Sequence, residues 1–225
     1  MRTEYHCHIL PGIDDGADSV EMSAKMVEQM KGQGVQRIVA TPHFYAHREQ
    51  SIHSFLQKRQ ESFETARGQW ELTDVRLGAE VAVEQGLSEM EDLKQLAIEG
   101  TNLILLELPY RPYAKWMGEE IYNVAREFHL QVILAHVHRY LSFYTKEEIK
   151  ELFSLDAILQ LNNEAFASCF EKRFAKTVLK GYDLFVFGSD AHNLTSRKPN
   201  WDLLQRKVSQ EALHQSDMVL DLYSV

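Results

Sequence analysis

His6-Cys7-His8-Ile9-Leu10-Pro11-Gly12-Ile13-Asp14-Asp15-Gly16 places two imidazoles and two carboxylates close together near the N-terminus. Residues i and i+2 of an extended strand share a side, so His6 and His8 can reach one ion while Cys7 points away. Pro11 and Gly12 end the strand and turn the chain. The turn carries Asp14 and Asp15 back towards the strand's exit, where one carboxylate can serve a second ion. A lone His-x-His is weak evidence of metal binding. It gains weight because later apolar runs also end in His, Asp or Glu.

Those runs follow in order. Residues 36–41 (QRIVAT) end in Pro42-His43, residues 75–79 lead to Glu80, and residues 102–106 run into Glu107. Residues 131–135 end at His136 and residues 157–161 at Asn162, while residues 184–187 pass through Gly188 and Ser189 to Asp190 and His192. Between them lie helical patterns. Asp18-Ser19-Val20-Glu21 has the form of an N-cap, with Met22, Met26, Val27 and Met30 on one face and Gly32 and Gly34 as a stop. Further helices are predicted over 49–67, 87–97, 116–128 and 145–153. Strand runs that are apolar throughout, alternating with helices, indicate a buried parallel sheet. The polar ends recur every 26 to 37 residues or so, about one βα unit each. Glycine motifs that cradle nucleotide phosphates are absent. Delivery of every strand end to one place favours a closed barrel over an open sheet. The expectation is a single α/β domain over residues 1–225, an irregular seven-stranded TIM-like barrel with its site at the C-terminal ends of the strands.

Composition narrows the function. With 225 residues and 44% hydrophobic content the chain can bury a full core. No apolar run is long enough to span a membrane, and the start of the chain lacks a signal peptide's apolar core, so a cytoplasmic location is expected. Cys7 and Cys169 form no disulfide framework. A net charge of -9 without clustered Lys and Arg argues against a nucleic-acid partner. An anionic substrate would then need a local positive centre, which metal ions can supply.

The strand ends gather His6, His8, Asp15, His43, Glu80, Glu107, His136, Asp190 and His192. These nine donors exceed the needs of one ion, so two or three ions and a bridging carboxylate are implied. Nitrogen and oxygen donors without a required thiolate suit Mn, Fe or Zn. Cysteine-phosphatase chemistry is excluded on spacing, because the arginine it needs six residues after the nucleophile is Ile13 after Cys7 and Ala175 after Cys169.

These motifs, His6-Cys7-His8 with Pro-x-x-Asp-Asp-Gly, Ala40-Thr41-Pro42-His43, Gly78-Ala79-Glu80, Leu106-Glu107-Leu108-Pro109, Ala135-His136 with Arg139, and Ser189-Asp190-Ala191-His192, together resemble the polymerase and histidinol phosphatase (PHP) family. Within it they are most similar to the bacterial manganese-dependent protein-tyrosine phosphatases of capsule and exopolysaccharide operons. The resemblance spans residues 3 to about 199. It implies a distorted (β/α)7 barrel and three divalent ions, Mn²⁺ first. One ion would take His6, His8, Glu80 and Asp190, a second Glu80, Glu107 and His136, and a third Asp15, His43 and His192. It further implies that Arg139 and Arg197 hold the phosphate, and that the substrate is a phosphotyrosine protein such as a bacterial tyrosine autokinase. A homo-oligomer is allowed. Hydroxide held by the ions would attack in line, with His43 or His192, or water beside them, giving a proton to the leaving group.

The sequence departs from the family at the start of the first helix, where the glutamate- and arginine-rich stretch that some relatives use for ring assembly is only partly present as Asp18 to Glu21, and at two further places. His138 stands where a glutamate is usual, and the C-terminus lacks the usual Asn-Pro-containing last helix, which leaves barrel closure open. His47, His53, His129 and His214 read as solvated, and Trp70, Trp116 and Trp201 as packing. Aromatics and positive charge in residues 44–54 and 110–113 read equally as a phosphotyrosine clamp or as loop packing. A small-molecule phosphatase, such as one for histidinol phosphate, and a non-catalytic metal-bound scaffold are the competing readings.

Overall fold

A computed structural model describes residues 1–72 and 74–225. Its strands, all paired in parallel, form two sheets. One sheet joins β1 (Arg2–Cys7), β2 (Val35–Ala40) and β4 (Val75–Leu77) in that order. The other runs β3 (His43–Phe44), β5 (Glu80–Ala82), β6 (Leu103–Glu107), β7 (Gln131–Leu134), β8 (Ile158–Asn162) and β9 (Phe185–Gly188).

Two of the seven predicted strands are interrupted. Thr41-Pro42 separates β2 from β3, where proline has no N–H for a ladder, and Gly78-Ala79 separates β4 from β5. Backbone bonds continue across these breaks, from Gly78 N to Ala40 O at 2.9 Å and from Glu80 N to Pro42 O at 3.0 Å. At the other seam, Asp190 N donates to His6 O at 2.7 Å and His8 N to Ala191 O at 2.9 Å. The first strand begins and ends earlier than predicted, so His6 lies inside β1 and His8 just beyond it.

Five of the six α-helices among the described residues start at Ser or Thr caps. The hydroxyl of Ser19 accepts from Met22 N at the start of α1 (Val20–Gly32), so Ser19 and not Asp18 is the cap. Ser51 caps α2 (Ile52–Ala66), which is shorter than predicted, and α3 spans Lys115–Phe128. Thr145 and Glu148 form a capping box on α4 (Lys146–Ser154), and Ser168 caps α5 (Cys169–Gly181), a helix the sequence pattern did not reveal. The predicted helix over 87–97 is instead two short 3₁₀ turns, Leu87–Glu89 and Leu93–Leu96. A last helix does exist. α6 (Gln210–Leu222), capped by Ser209, packs on β1 and β9, where Tyr5 donates its hydroxyl to Ser216 O at 2.9 Å and accepts from Leu220 N at 2.8 Å.

Period-2 alternation divides the core. Leu103 and Leu105 pack with Ile133, Ile158 and Val186, whereas Ile104 and Leu106 pack with Val132, Leu134 and the helix residues Met26, Met117 and Ile121. Each such side chain contributes about 1.5–3 kcal/mol by leaving water. This packing fixes the strand ends on which the polar residues sit. Among the described residues no helix is long and apolar enough to cross a membrane.

Candidate metal centre

All nine predicted donors come together at the C-terminal ends of the strands. His6, His8, Glu80 and Asp190 form one group, and His8, Asp15, His43 and His192 a second. His43, Glu80 and Glu107 form a third, with His136 Nε2 2.9 Å from Glu80 and 3.4 Å from Glu107. Relative to the implied sets, His8 therefore joins the Asp15 group, and His43 faces both it and Glu80.

The spacing suits cations. His6 Nε2 lies 3.3 Å from His8 Nε2, 3.1 Å from Glu80 Oε2 and 3.5 Å from Asp190 Oδ1. Ligands about 2.1 Å from one ion stand about 3.0 Å apart as octahedral neighbours and about 3.4 Å apart in a tetrahedron. His43 Nδ1 and Glu80 Oε2 are 3.0 Å apart, yet neither makes a hydrogen bond, and His192 Nε2 is likewise buried without a partner. Leaving such buried groups unmet is costly, and a cation would satisfy them together. The donor set thus fits divalent ions.

Each inner histidine is oriented from behind. His8 Nδ1 donates to Asp14 Oδ2 at 2.7 Å, His6 Nδ1 to Gln160 Oε1 at 3.2 Å, and His192 Nδ1 to Asp190 O at 2.9 Å. With the proton on Nδ1, the Nε2 lone pair faces inward. Asp14 also accepts His43 N at 3.0 Å and Gly16 N at 2.9 Å, folding residues 14–16 over His8. A Cβ at Gly16 would collide with the carbonyl and Cβ of His8. One at Gly188 would come within 2.7 Å of His6 Cβ, so this strand end must also be glycine.

Sequence reasoning passed over Asp14 as a supporting group, together with Gln160, Asn162, Glu4 and Glu164. Gln160 Oε1 also accepts His136 N at 2.5 Å, and its amide donates to Asn162, which donates to Asp190 Oδ2 at 3.2 Å. Buried Glu4 accepts Trp201 Nε1 at 2.6 Å and the backbone N–H groups of His6 and Ser189, so Trp201 is a hydrogen-bond donor as well as packing. Fully buried polar residues inside apolar strands were the available signal. His136 and Asp190 adopt left-handed backbone, φ 31° and 51°, each at a cost of about 1–3 kcal/mol that the surrounding bonds offset.

Electrostatically the centre is a sink for positive charge. Burial opposes ionisation of Glu80 and Asp190, but the adjoining histidines, and Arg139 beside Asp190, hold both carboxyls well below their usual range. Burial also pulls His136 down, yet Glu107 and Glu80 raise it to about 9. His192, away from Glu80, is held near 3 by burial and by His8. Arg139 Nη2 reaches Asp190 Oδ2 at 2.7 Å and Glu164 Oε1 at 2.8 Å, and Arg197 Nη2 reaches both Asp190 oxygens at 2.9 Å. Both predicted phosphate arginines therefore border the centre. Buried His138 stays outside the donor groups, 3.9 Å from Glu164.

Cys7 is fully buried, and burial pushes its thiol well above the usual value. Cys169 is exposed. His47, His53, His129 and His214 are exposed as expected, and His129 ends α3 in a left-handed turn, φ 53°.

Known proteins are similar to this chain in sequence and fold. A tyrosine-protein phosphatase, YwqE from Bacillus subtilis, is 29% identical over 86% of this chain and 78% of its own length. The tyrosine-protein phosphatase CpsB of Streptococcus agalactiae serotype III is 26% identical over 87% and 85%. A crystal structure from work on YwqE of Bacillus subtilis and CpsB of Streptococcus pneumoniae, described as unique metal-dependent tyrosine phosphatases, superposes with a TM-score of 0.78 at 20% identity, over 98% of this chain and 93% of that one. Histidinol phosphate phosphatase from Lactococcus lactis, complexed with zinc, L-histidinol and phosphate, has the same fold at a TM-score of 0.57 and 15% identity, over 98% and 93%. The capsular polysaccharide synthesis family CpsB/CapC matches residues 3–220, and the chain belongs to that family.

Proposed function

We propose that this chain is a metal-dependent phosphomonoester hydrolase that removes phosphate from phosphotyrosine in proteins. The observation that carries the reading is the convergence of nine nitrogen and oxygen donors in one site, in a family whose relatives are named tyrosine-protein phosphatases. His6, His8, Glu80 and Asp190 would hold one divalent ion, Glu80, Glu107 and His136 a second, and Asp15, His43 and His192 a third. Nitrogen and oxygen donors without thiolate suit Mn, Fe or Zn, and the family resemblance puts Mn²⁺ first. Bound ions supply positive charge for the phosphoryl oxygens and acidify the attacking water.

The chain's own side chains do the rest. Arg139 and Arg197, now paired with Asp190, present planar forks that match two phosphoryl oxygens. His43 or His192, on the side of exposed Asp15, would position the water that passes a proton to the leaving tyrosinate. A conjugate-acid pKa of about 10 makes that group easier to expel than a serine alkoxide. Asp14 and Gln160 keep the imidazoles aimed.

Residues 1–225 are read as one domain. Its two sheets act as a single distorted (β/α)7 barrel, which the backbone bonds at both seams support. The biological setting is capsule or exopolysaccharide synthesis in the cytoplasm, with a bacterial tyrosine autokinase as substrate and a homo-oligomer allowed. A panel of phosphotyrosine peptide and histidinol phosphate tests the substrate class. Efficiency on the peptide about tenfold or more above that on histidinol phosphate is expected, and the reverse order would assign a small-molecule phosphatase.

A further inference from the structure

Two tyrosines flank the metal centre, each against one of its histidines. The Tyr45 ring centroid lies 5.3 Å from that of His43, and the Tyr110 ring stacks 5.8 Å from that of His136. Both line a cleft of about 420 Å³, together with Trp116, Arg111 and Glu107. Glu107, which also belongs to the donor groups, forms part of the cleft wall, so the cleft adjoins the centre. Arg48 sits 4.3 Å from the Tyr45 ring, and Arg111 sits 5.2 Å from the ring of Trp116 at the start of α3. His47 Nδ1 is 2.8 Å from Glu84 at the margin.

We infer that this cleft seats the aromatic ring of phosphotyrosine and so sets a preference for aryl over alkyl phosphomonoesters. The inference rests on the phosphatase reading above. In a tyrosine phosphate the ring is bonded directly to the ester oxygen, so a ring seat must adjoin the place where phosphate is held. The cleft meets that condition through Glu107. Its size falls in the range of about 300–1,000 Å³ usual for small-molecule sites, which leaves room for a ring and the start of the peptide. Three aromatic side chains offer faces and edges to the ring, whereas the methylene of phosphoserine would leave those surfaces in water.

Phosphonates that cannot be hydrolysed separate the ring seat from the phosphate site. Manganese-loaded protein should bind phenylphosphonate about tenfold or more tightly than methylphosphonate in calorimetric titration. Tyr110→Ala and Trp116→Ala should each reduce that preference about threefold to tenfold, read as the ratio of the two affinities. Trp116 packs partly against the core, and exposed Tyr110 supplies a variant with little effect on folding. An unchanged ratio in both variants, or no aryl preference in the parent protein, would overturn the ring seat. Failure to bind either phosphonate would overturn the phosphatase reading itself.

Discussion

Asp14 Oδ2 lies 2.7 Å from His8 Nδ1 and 3.0 Å from the backbone nitrogen of His43, so one carboxylate ties the exit of β1 to the start of β3. Although burial opposes its ionisation, His8 holds this carboxyl far below the usual range. Partners of this kind fix ring orientation and raise ligand basicity. Asp14→Ala should weaken metal binding by about 10- to 100-fold, and Asp14→Asn, which keeps an acceptor, by less. Metal titration by calorimetry measures both, and unchanged affinity would reduce Asp14 to a loop-shaping role.

Glu80 is expected to serve two ions. Its Oε2 is 3.1 Å from His6, 3.3 Å from His8 and 3.0 Å from His43, while Oε1 is 2.9 Å from His136. Glu80→Ala should lower the metal content by more than one ion per chain in elemental analysis. A full complement would remove Glu80 from direct coordination.

Arg139 and Arg197 are expected to hold phosphate and leave the ions to other residues. Arg139→Ala and Arg197→Ala should keep the full metal content yet each lose about 1.5–3 kcal/mol in kcat/KM, with weaker inhibition by inorganic phosphate. Wild-type efficiency in both, or metal loss in step with rate, would make their pairing with Asp190 purely structural.

Away from the centre, Asp217 accepts Thr3 N at 2.7 Å, and burial pushes its carboxyl up to about 6 from an ordinary value of 3.8. Between those values the folded chain binds more protons than the unfolded chain, so this group's contribution to stability falls as pH rises through the window. Relative to Asp217→Asn, which cannot ionise, the parent protein should lose stability from pH 4 towards pH 7. Urea midpoints of the two proteins across that range test this. A parallel pH dependence would show that Asp217 titrates as an exposed carboxylate.

Much of this arrangement was legible in the chain because a buried parallel strand cannot end in His or Glu without a partner. Residues 103–107 show the point, with an unbroken apolar run meeting a carboxylate at the mouth of the fold. What the pattern could not reveal depends on contacts between distant segments. Gln160 lies in an apolar strand and reads as an ordinary polar substitution until His6 and His136 meet it. Residues 87–97 carry helical spacing, but Gly86 and Asp92 take left-handed conformations, and the segment settles into short turns. Thr41-Pro42 and Gly78-Ala79 have the composition of strand ends, although the ladder resumes beyond them. α5 and α6 begin at single serine caps, Ser168 and Ser209, which the sequence pattern does not set apart from loop serines.

The most direct test is hydrolysis of a phosphotyrosine peptide by one preparation before and after metal exchange. Chelator-treated protein should lose turnover and regain it on addition of Mn²⁺, and Cys7→Ser should behave as the parent does in both states. Full turnover in metal-free protein, or its loss in Cys7→Ser with metal content intact, would contradict a mechanism built on the nine strand-end donors.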